Sequence, residues 1–163
     1  MGVVSIKADT LVEQRELEHE GQAIAEFIRI LTQEQIALKS FDIDAVNDLS
    51  IEKARQLGVL GRHAEIRNQR LRSAGCSQDA EGMRAWLAER ISCPGIIAAW
   101  TRVAELAREA QGQNEINGWL VSIQMQRNGR QLEFLNKMAS NEPIYSAEGL
   151  AHASVRQRSL GEA

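Results

Sequence analysis

The sequence is poor in several residue types, and each shortage removes a class of protein. Aromatic residues make up 4% of the 163 positions, and proline occurs only at Pro94 and Pro143. Two cysteines and three histidines are too few for a disulfide framework or a zinc module. No apolar run reaches the length of about 18 residues that indicates a membrane span. What remains is rich in Ala, Leu, Glu, Gln and Arg, which is the composition of an all-α protein.

The charges do not favour a nucleic-acid partner or insertion into a membrane. The formal net charge is −3, and 19 basic residues are interspersed with 22 acidic ones. The first residues show no basic segment followed by an apolar one, so no secretory signal is predicted and we expect a cytoplasmic protein. One basic run lies near the end of the second predicted helix, where cations suit the helix C-terminus, and we interpret it as a solvated face: Arg62, Arg67, Arg70 and Arg72.

The first two long segments have the periodicity of paired helices. Asp42 or Asp44 is expected to cap the second of them, which extends to about Arg72. A connection this short predicts an antiparallel hairpin. In the first segment, from Ala8 to Ser40, an apolar residue recurs every seven positions, at Leu17, Ile24, Leu31 and Leu38.

A short helix and a third long helix complete the predicted fold. The short helix covers residues 79–91 and places Trp86 as a plug over one end of the hairpin. Pro94 fits the first turn of the third helix, which continues to about Ala139. The sequence therefore predicts an all-α fold, an elongated antiparallel bundle of three long helices plus a short one over residues 1–143. Residues 144–163 lack strong periodicity and are expected to form a mobile C-terminal tail.

The centre of the third helix has an unusual composition. Asn114, Asn117 and Gly118 interrupt the apolar pattern, although Asn and Gly are poor helix formers. In one interpretation an Asn faces a partner helix and fixes its register. In the other, both Asn residues face solvent while Ile116 and Leu120 face inward. Residues 124–131 are polar, so this part is either exposed or completed by another chain, which leaves a homodimer possible.

Signals for chemistry are weak. Glu16 and His19 have the Glu-x-x-His spacing of di-iron bundles, but the second motif that such a site needs is missing. Cys76 and Cys93 are expected to be free thiols, with a bridge between them as the alternative. No phosphate-binding loop or nucleophile motif occurs. We therefore expect no metal, no cofactor and no enzymatic activity.

Four short motifs follow one another in a distinctive order over about residues 10–150. They are Phe41-Asp-Ile-Asp after the first helix, Glu52-Lys53 in the second, Asn114-x-x-Asn117-Gly118-x-Leu-Val in the third, and Tyr145-Ser-Ala-Glu-Gly after it. This order and spacing resemble the FlgN family of flagellar export chaperones. The chain departs from the family pattern at Ser146, where Gly is frequent, and at Val121, where Ile is frequent.

The resemblance implies a chaperone that holds C-terminal segments of the hook–filament junction proteins FlgK and FlgL. It also implies delivery of these clients to the export gate protein FlhA. The family's C-terminal half is expected to bind the client, and late in the third helix of this chain lie apolar residues without an evident partner. They are the expected client-binding residues: Leu120, Ile123, Leu132, Leu135 and Met138.

Tyr145 has two interpretations. The resemblance implies that it helps to dock the loaded chaperone on FlhA, whereas the residue alone fits an anchor packed on the bundle. A second class of function also stays open. A coiled-coil scaffold or adaptor that binds no export client would have the same composition and periodicity.

Overall fold

A computed structural model of the chain shows four α-helices. They are α1 (Gly2–Ser40), α2 (Ile43–Ser73), α3 (Ala80–Ala88) and α4 (Pro94–Asn141). The structure describes residues 2–141, with side chains from Asp9 to Met138. No strand occurs in this described part. The predicted all-α fold with three long helices and one short helix is confirmed.

The chain divides into two units. The first, Met1–Ser122, contains α1, α2, α3 and most of α4, and the second, Ile123–Ala163, contains the rest of α4. The predicted boundary at residue 143 and the predicted mobile tail fall outside residues 2–141 and stay predictions. Within the described residues, no helix combines the length and the apolar character that crossing a membrane requires.

The turn between α1 and α2 is held by a side-chain cap. Asp42 accepts a hydrogen bond from the Ala45 N–H at 3.0 Å, which satisfies one of the free amides in the first turn of α2. The preceding residue, Phe41, has a φ of 59°, a left-handed conformation that is uncommon for a residue with a Cβ. The chain thus reverses within two residues, as the hairpin prediction requires.

Side-chain pairs show that α1 and α2 run antiparallel. Glu16 pairs with Arg70, Glu20 with Arg67 and Glu34 with Lys53, so the α2 partner moves back along the chain as α1 advances. Between these pairs the buried Gln56 amide donates to the main-chain oxygen of Ala23 at 2.8 Å. The hairpin is therefore joined by polar contacts along its length.

In contrast, α4 runs parallel to α1, and the two helices keep a nearly constant register. Four pairs in contact are separated by 81 to 83 positions, and they follow both helices in the same direction. They are Gln14 with Gly95, Gly21 with Val103, Thr32 with Gln113, and Glu34 with Asn117.

The first unit has two apolar clusters, both built around α1. One joins Ile24, Phe27 and Leu31 to residues of α4 that are also buried: Val103, Leu106 and Ala110. The other lies around Leu17 and contains Leu71, Met83, Trp86 and Ile96 from the remaining three elements. All four residues of the predicted heptad pattern, Leu17, Ile24, Leu31 and Leu38, are buried. The apolar stripe of α1 that the sequence periodicity indicated is therefore the surface whose burial stabilises the fold.

The short helix α3 is fixed by both packing and charge. Trp86 is buried in the second cluster, which fits its predicted position over one end of the hairpin. Arg90 lies 3.8 Å from the centre of the Trp86 ring and forms two hydrogen bonds of 2.9 Å with the Glu13 carboxylate on α1. The start of α3 is capped by Asp79, whose pKa is lowered by hydrogen bonds from the Gly82 N–H and the Ser77 hydroxyl.

Candidate functional site

The motif residue Asn117 lies inside the first unit. Its side chain is 2% exposed, and its Nδ2 donates to the main-chain oxygen of Leu31 and to Glu34 Oε2, each at 2.8 Å. Both partners belong to α1. The interpretation in which both Asn residues face solvent is therefore wrong for Asn117, and Ile116 is half exposed instead of buried.

A polar network around Asn117 connects three helices. Glu34 of α1 accepts from Asn117 of α4 and from Lys53 of α2, whose Nζ lies 2.8 Å from Glu34 Oε2. Glu34 is 7% exposed, so its charge is held by these two partners more than by water. Asn117 Oδ1 is also buried, and no hydrogen bond to it occurs within the described residues. A buried network of this kind favours the observed register, because a shifted α4 would lose both hydrogen bonds of the Asn117 amide.

An open apolar groove lies between α2 and α4 in the first unit. Its floor is Ile24 and Phe27 of α1, and the network residue Lys53 and the ion-paired Glu20 also line it. The walls are mostly apolar or small residues from α2 and α4: Leu57, Leu60, Ala64, Ala107, Ala110, Gln111 and Asn114. We call this surface the α2–α4 groove.

The charged residues that line the groove are neutralised within the chain. Lys53 pairs with Glu34, and Glu20 accepts from Arg67. The Arg67 guanidinium also lies 5.6 Å from the centre of the Trp100 ring. The groove therefore presents apolar surface with no uncompensated charge among its lining residues.

The second unit has an apolar stripe on α4. Met125, Leu132 and Leu135 are 70%, 61% and 59% exposed. Their spacing of seven and three positions places them on one side of an α-helix. We call these three residues the distal stripe. Ile123 lies nine positions before Leu132, which is two and a half turns, so it projects from the opposite side.

The five predicted client-binding residues are thus distributed over more than one face. Leu132 and Leu135 share the distal stripe, and Met138 is exposed beside Leu135. Ile123 and Leu120 are partly exposed. The stripe also contains Met125, and the exposed Phe134 lies on another face; neither was predicted.

Comparison with protein families supplies the decisive observation. The family model described as FlgN protein matches residues 13–153, which is most of the chain. The chain belongs to the FlgN family. FlgN proteins are chaperones of flagellar biogenesis, generally without enzymatic activity. Comparison with curated proteins and with solved structures gives no significant match.

The FlgN motif residues have different positions in the structure. Asn117 joins α4 to α1, whereas Asn114 lines the α2–α4 groove. Gly118 follows Asn114 by four positions and is exposed, with open space where a Cβ would be. The motif residues are close together in the sequence but contribute to two different features: Asn117 to the polar network and Asn114 to the α2–α4 groove.

The basic run at the end of α2 is not simply a solvated face. Arg67 and Arg70 bond to Glu20 and Glu16 of α1, and the hydrogen bond to Glu16 raises the pKa of Arg70. Arg72 bonds within its own neighbourhood, to Glu65 and Gln78. Two of the four cations thus join α1 to α2, so the interpretation of the whole run as solvated is wrong.

The remaining candidate sites are the Glu16–His19 spacing, the two cysteines and Tyr145. His19 is exposed and Glu16 is bound to Arg70, and no metal-binding cluster of acidic, histidine or cysteine residues occurs within the described part. Cys76 and Cys93 are free, partly buried thiols. Tyr145 lies outside the described residues, so its proposed docking role stays a prediction.

Proposed function

We propose that this chain is a cytoplasmic export chaperone for the hook–filament junction proteins FlgK and FlgL. It holds their C-terminal segments and delivers them to the export gate protein FlhA. The observation that carries the proposal is the match of the FlgN family model to residues 13–153. The chaperone acts by binding alone, without a metal, a cofactor or a catalysed reaction.

The exposed residues of distal α4 support a client-binding role for this segment. Amphipathic client helices are recognised by apolar anchors at helical spacing, and the distal stripe offers such anchors at Met125, Leu132 and Leu135. Single exposed apolar residues are ordinary on protein surfaces, but three on one face of one helix form a patch. We assign the main contribution to Leu132 and Leu135, with Met138 beside them. Leu120 contributes from a neighbouring face and Ile123 from the opposite side of the helix.

The test is calorimetric titration of the full chain with C-terminal peptides of FlgK and FlgL. We expect saturable binding, and we expect Leu132→Asp to weaken it strongly while the thermal midpoint stays unchanged. Phe134→Asp is the matched control, because Phe134 is equally exposed on the same helix but lies on another face. Failure of both peptides to bind the unmodified chain would favour the scaffold or adaptor function instead.

A further inference from the structure

The two units offer complementary surfaces. The α2–α4 groove has a floor from α1 and two helical walls, and it is open to solvent. The distal stripe is an apolar helix face that is exposed to solvent. We propose that the distal stripe of one copy of this chain seats in the α2–α4 groove of a second copy, and that the two copies do so reciprocally.

The lengths of the two surfaces agree. Along α2 the groove extends from Lys53 to Ala64, about 16 Å at 1.5 Å per residue. The distal stripe extends from Met125 to Leu135, about 15 Å on the same basis. Each is close to three helical turns, so the stripe fills the groove without a long overhang.

The charges agree as well. The groove residues Lys53 and Glu20 are neutralised by Glu34 and Arg67, so a charged side chain entering the groove would find no free partner. On the distal helix the positions beside the stripe are uncharged residues: Gln124, Asn128, Gln131 and Asn136. By helical periodicity, the charged residues of this segment lie away from the stripe: Arg127, Arg130, Glu133 and Lys137. An uncharged face thus meets a groove whose charged residues are already paired within the chain.

The shape of the groove favours a helix as occupant. Ala64, Ala107 and Ala110 are small, so a helix backbone can come close to both walls. A helix bound there would cover the half-exposed Leu57 and complete a four-helix arrangement. Met125, which is unbranched and adaptable, can fill the remaining irregular space.

Reciprocal exchange gives a closed dimer. Each copy supplies one stripe and one groove, so a two-fold dimer contains two stripe-in-groove contacts, which we call seats. Both surfaces of each copy are then occupied, and none is left for further copies. Two seats also double the buried surface compared with a single helix contact. A client that binds the distal stripe would compete with the second copy for it.

Sedimentation velocity of the full chain, without any client, tests the pairing. We expect a dimer, and we expect Leu57→Glu in the groove and Leu132→Glu in the stripe each to weaken it by about tenfold or more. Matched controls are Ile51→Glu on α2 and Phe134→Glu on α4, both at exposed apolar positions outside the two surfaces. The controls should dimerise like the unmodified chain, and circular dichroism should show equal helix content for all four variants.

Mixing the two weakened variants separates reciprocal exchange from other dimers. A mixture of the Leu57→Glu and Leu132→Glu chains contains one intact seat, formed by the unchanged stripe of the first and the unchanged groove of the second. We therefore expect the mixture to dimerise more tightly than either variant alone. Three outcomes would each overturn the proposal. The two substitutions could leave dimerisation unchanged, or the mixture could dimerise no more tightly than its components. The unmodified chain could also stay monomeric up to roughly 100 μM, the weak end of specific association.

Discussion

Asn117 on α4 donates a hydrogen bond of 2.8 Å to the main-chain oxygen of Leu31 on α1. The two residues are 86 positions apart, and Leu31 is fully buried. A main-chain oxygen inside α1 thus accepts a side-chain hydrogen bond from the parallel helix α4. A second bond from the same amide reaches Glu34, one turn further along α1.

We predict that Asn117→Ala lowers the free energy of unfolding by about 1–3 kcal/mol, the cost of leaving buried polar partners unsatisfied. The measurement is urea unfolding followed by circular dichroism. Asn114→Ala is the matched control, because Asn114 is an exposed Asn one turn away on the same helix. Equal effects of the two substitutions would contradict a special role for the buried amide.

The Glu34–Lys53 pair is predicted to be much more strongly coupled than the exposed Arg29–Glu52 pair. Lys53→Met leaves the Glu34 carboxylate buried with Asn117 as its remaining described partner, a change that costs about 3 kcal/mol in comparable buried pairs. Exposed pairs contribute about 0–1 kcal/mol. Two double-mutant cycles measure the couplings. One combines Lys53→Met with Glu34→Gln, and the other combines a substitution of Arg29 with Glu52→Gln. Similar coupling energies for the two pairs would refute this ranking.

Helix α1 contains buried residues that the sequence pattern predicted and buried residues that it did not predict. The heptad of Leu17, Ile24, Leu31 and Leu38 was correctly assigned to the core because its residues are uniformly apolar. A second set at the same seven-residue spacing is also buried: Glu13, Glu20, Phe27 and Glu34. Its acidic members were not predicted to be buried. Three of its four members are acidic, and acidic residues normally indicate solvent.

Their burial depends on cations far away in the sequence. Lys53 and Arg67 come from α2 and Arg90 from the segment after α3, and only the folded chain brings them to α1. Periodicity within one helix contains no information about such partners. By contrast, the opposite orientation of Ile123 and Leu132 follows from their nine-residue spacing alone, so that part of the client-binding prediction could have been refined from the sequence.

Two glycines should respond differently to the same substitution. A Cβ at Gly82 would overlap the main-chain oxygen of Ser77, whereas a Cβ at Gly95 would meet the flexible end of the Gln14 side chain. We expect Gly82→Ala to destabilise the protein by about 1–3 kcal/mol through a forced backbone shift. Gly95→Ala should be near neutral, since Gln14 can move. Thermal unfolding distinguishes them, and a neutral Gly82→Ala would show that α3 has room to adjust.

The Asp79 cap is predicted to make α3 sensitive to acid. Hydrogen bonds from the Gly82 N–H and the Ser77 hydroxyl lower the pKa of Asp79 in the folded state. A carboxyl with a lowered folded pKa stabilises the fold above its unfolded pKa, near 4, and loses that contribution as the pH falls through the folded value. The thermal midpoint of Asp79→Ala should therefore lie below that of the unmodified chain at pH 7, and the gap should narrow below pH 4. A gap independent of pH would exclude this mechanism.

Tyr145→Ala is predicted to leave client binding intact and to weaken docking on FlhA. An aromatic side chain at an interaction hot spot commonly contributes about 2 kcal/mol or more, roughly thirtyfold in affinity. The measurement is titration of the peptide-loaded chaperone with the cytoplasmic domain of FlhA. Unchanged affinity, or a large fall in the thermal midpoint, would return Tyr145 to the role of a packing anchor.

The parallel register of α1 and α4 has a consequence for the order of folding. Every contact between these helices closes a loop of about eighty residues, whereas the α1–α2 pairs close loops of 19 to 54 residues. Loop closure costs more entropy as the loop lengthens, so the hairpin should form first and present a finished template to α4. Glu34 would then already be held by Lys53 when Asn117 arrives. Docking of α4 would be the last step of folding and its release the first step of unfolding, which makes the helix that forms one wall of the groove the most readily detached part of the first unit.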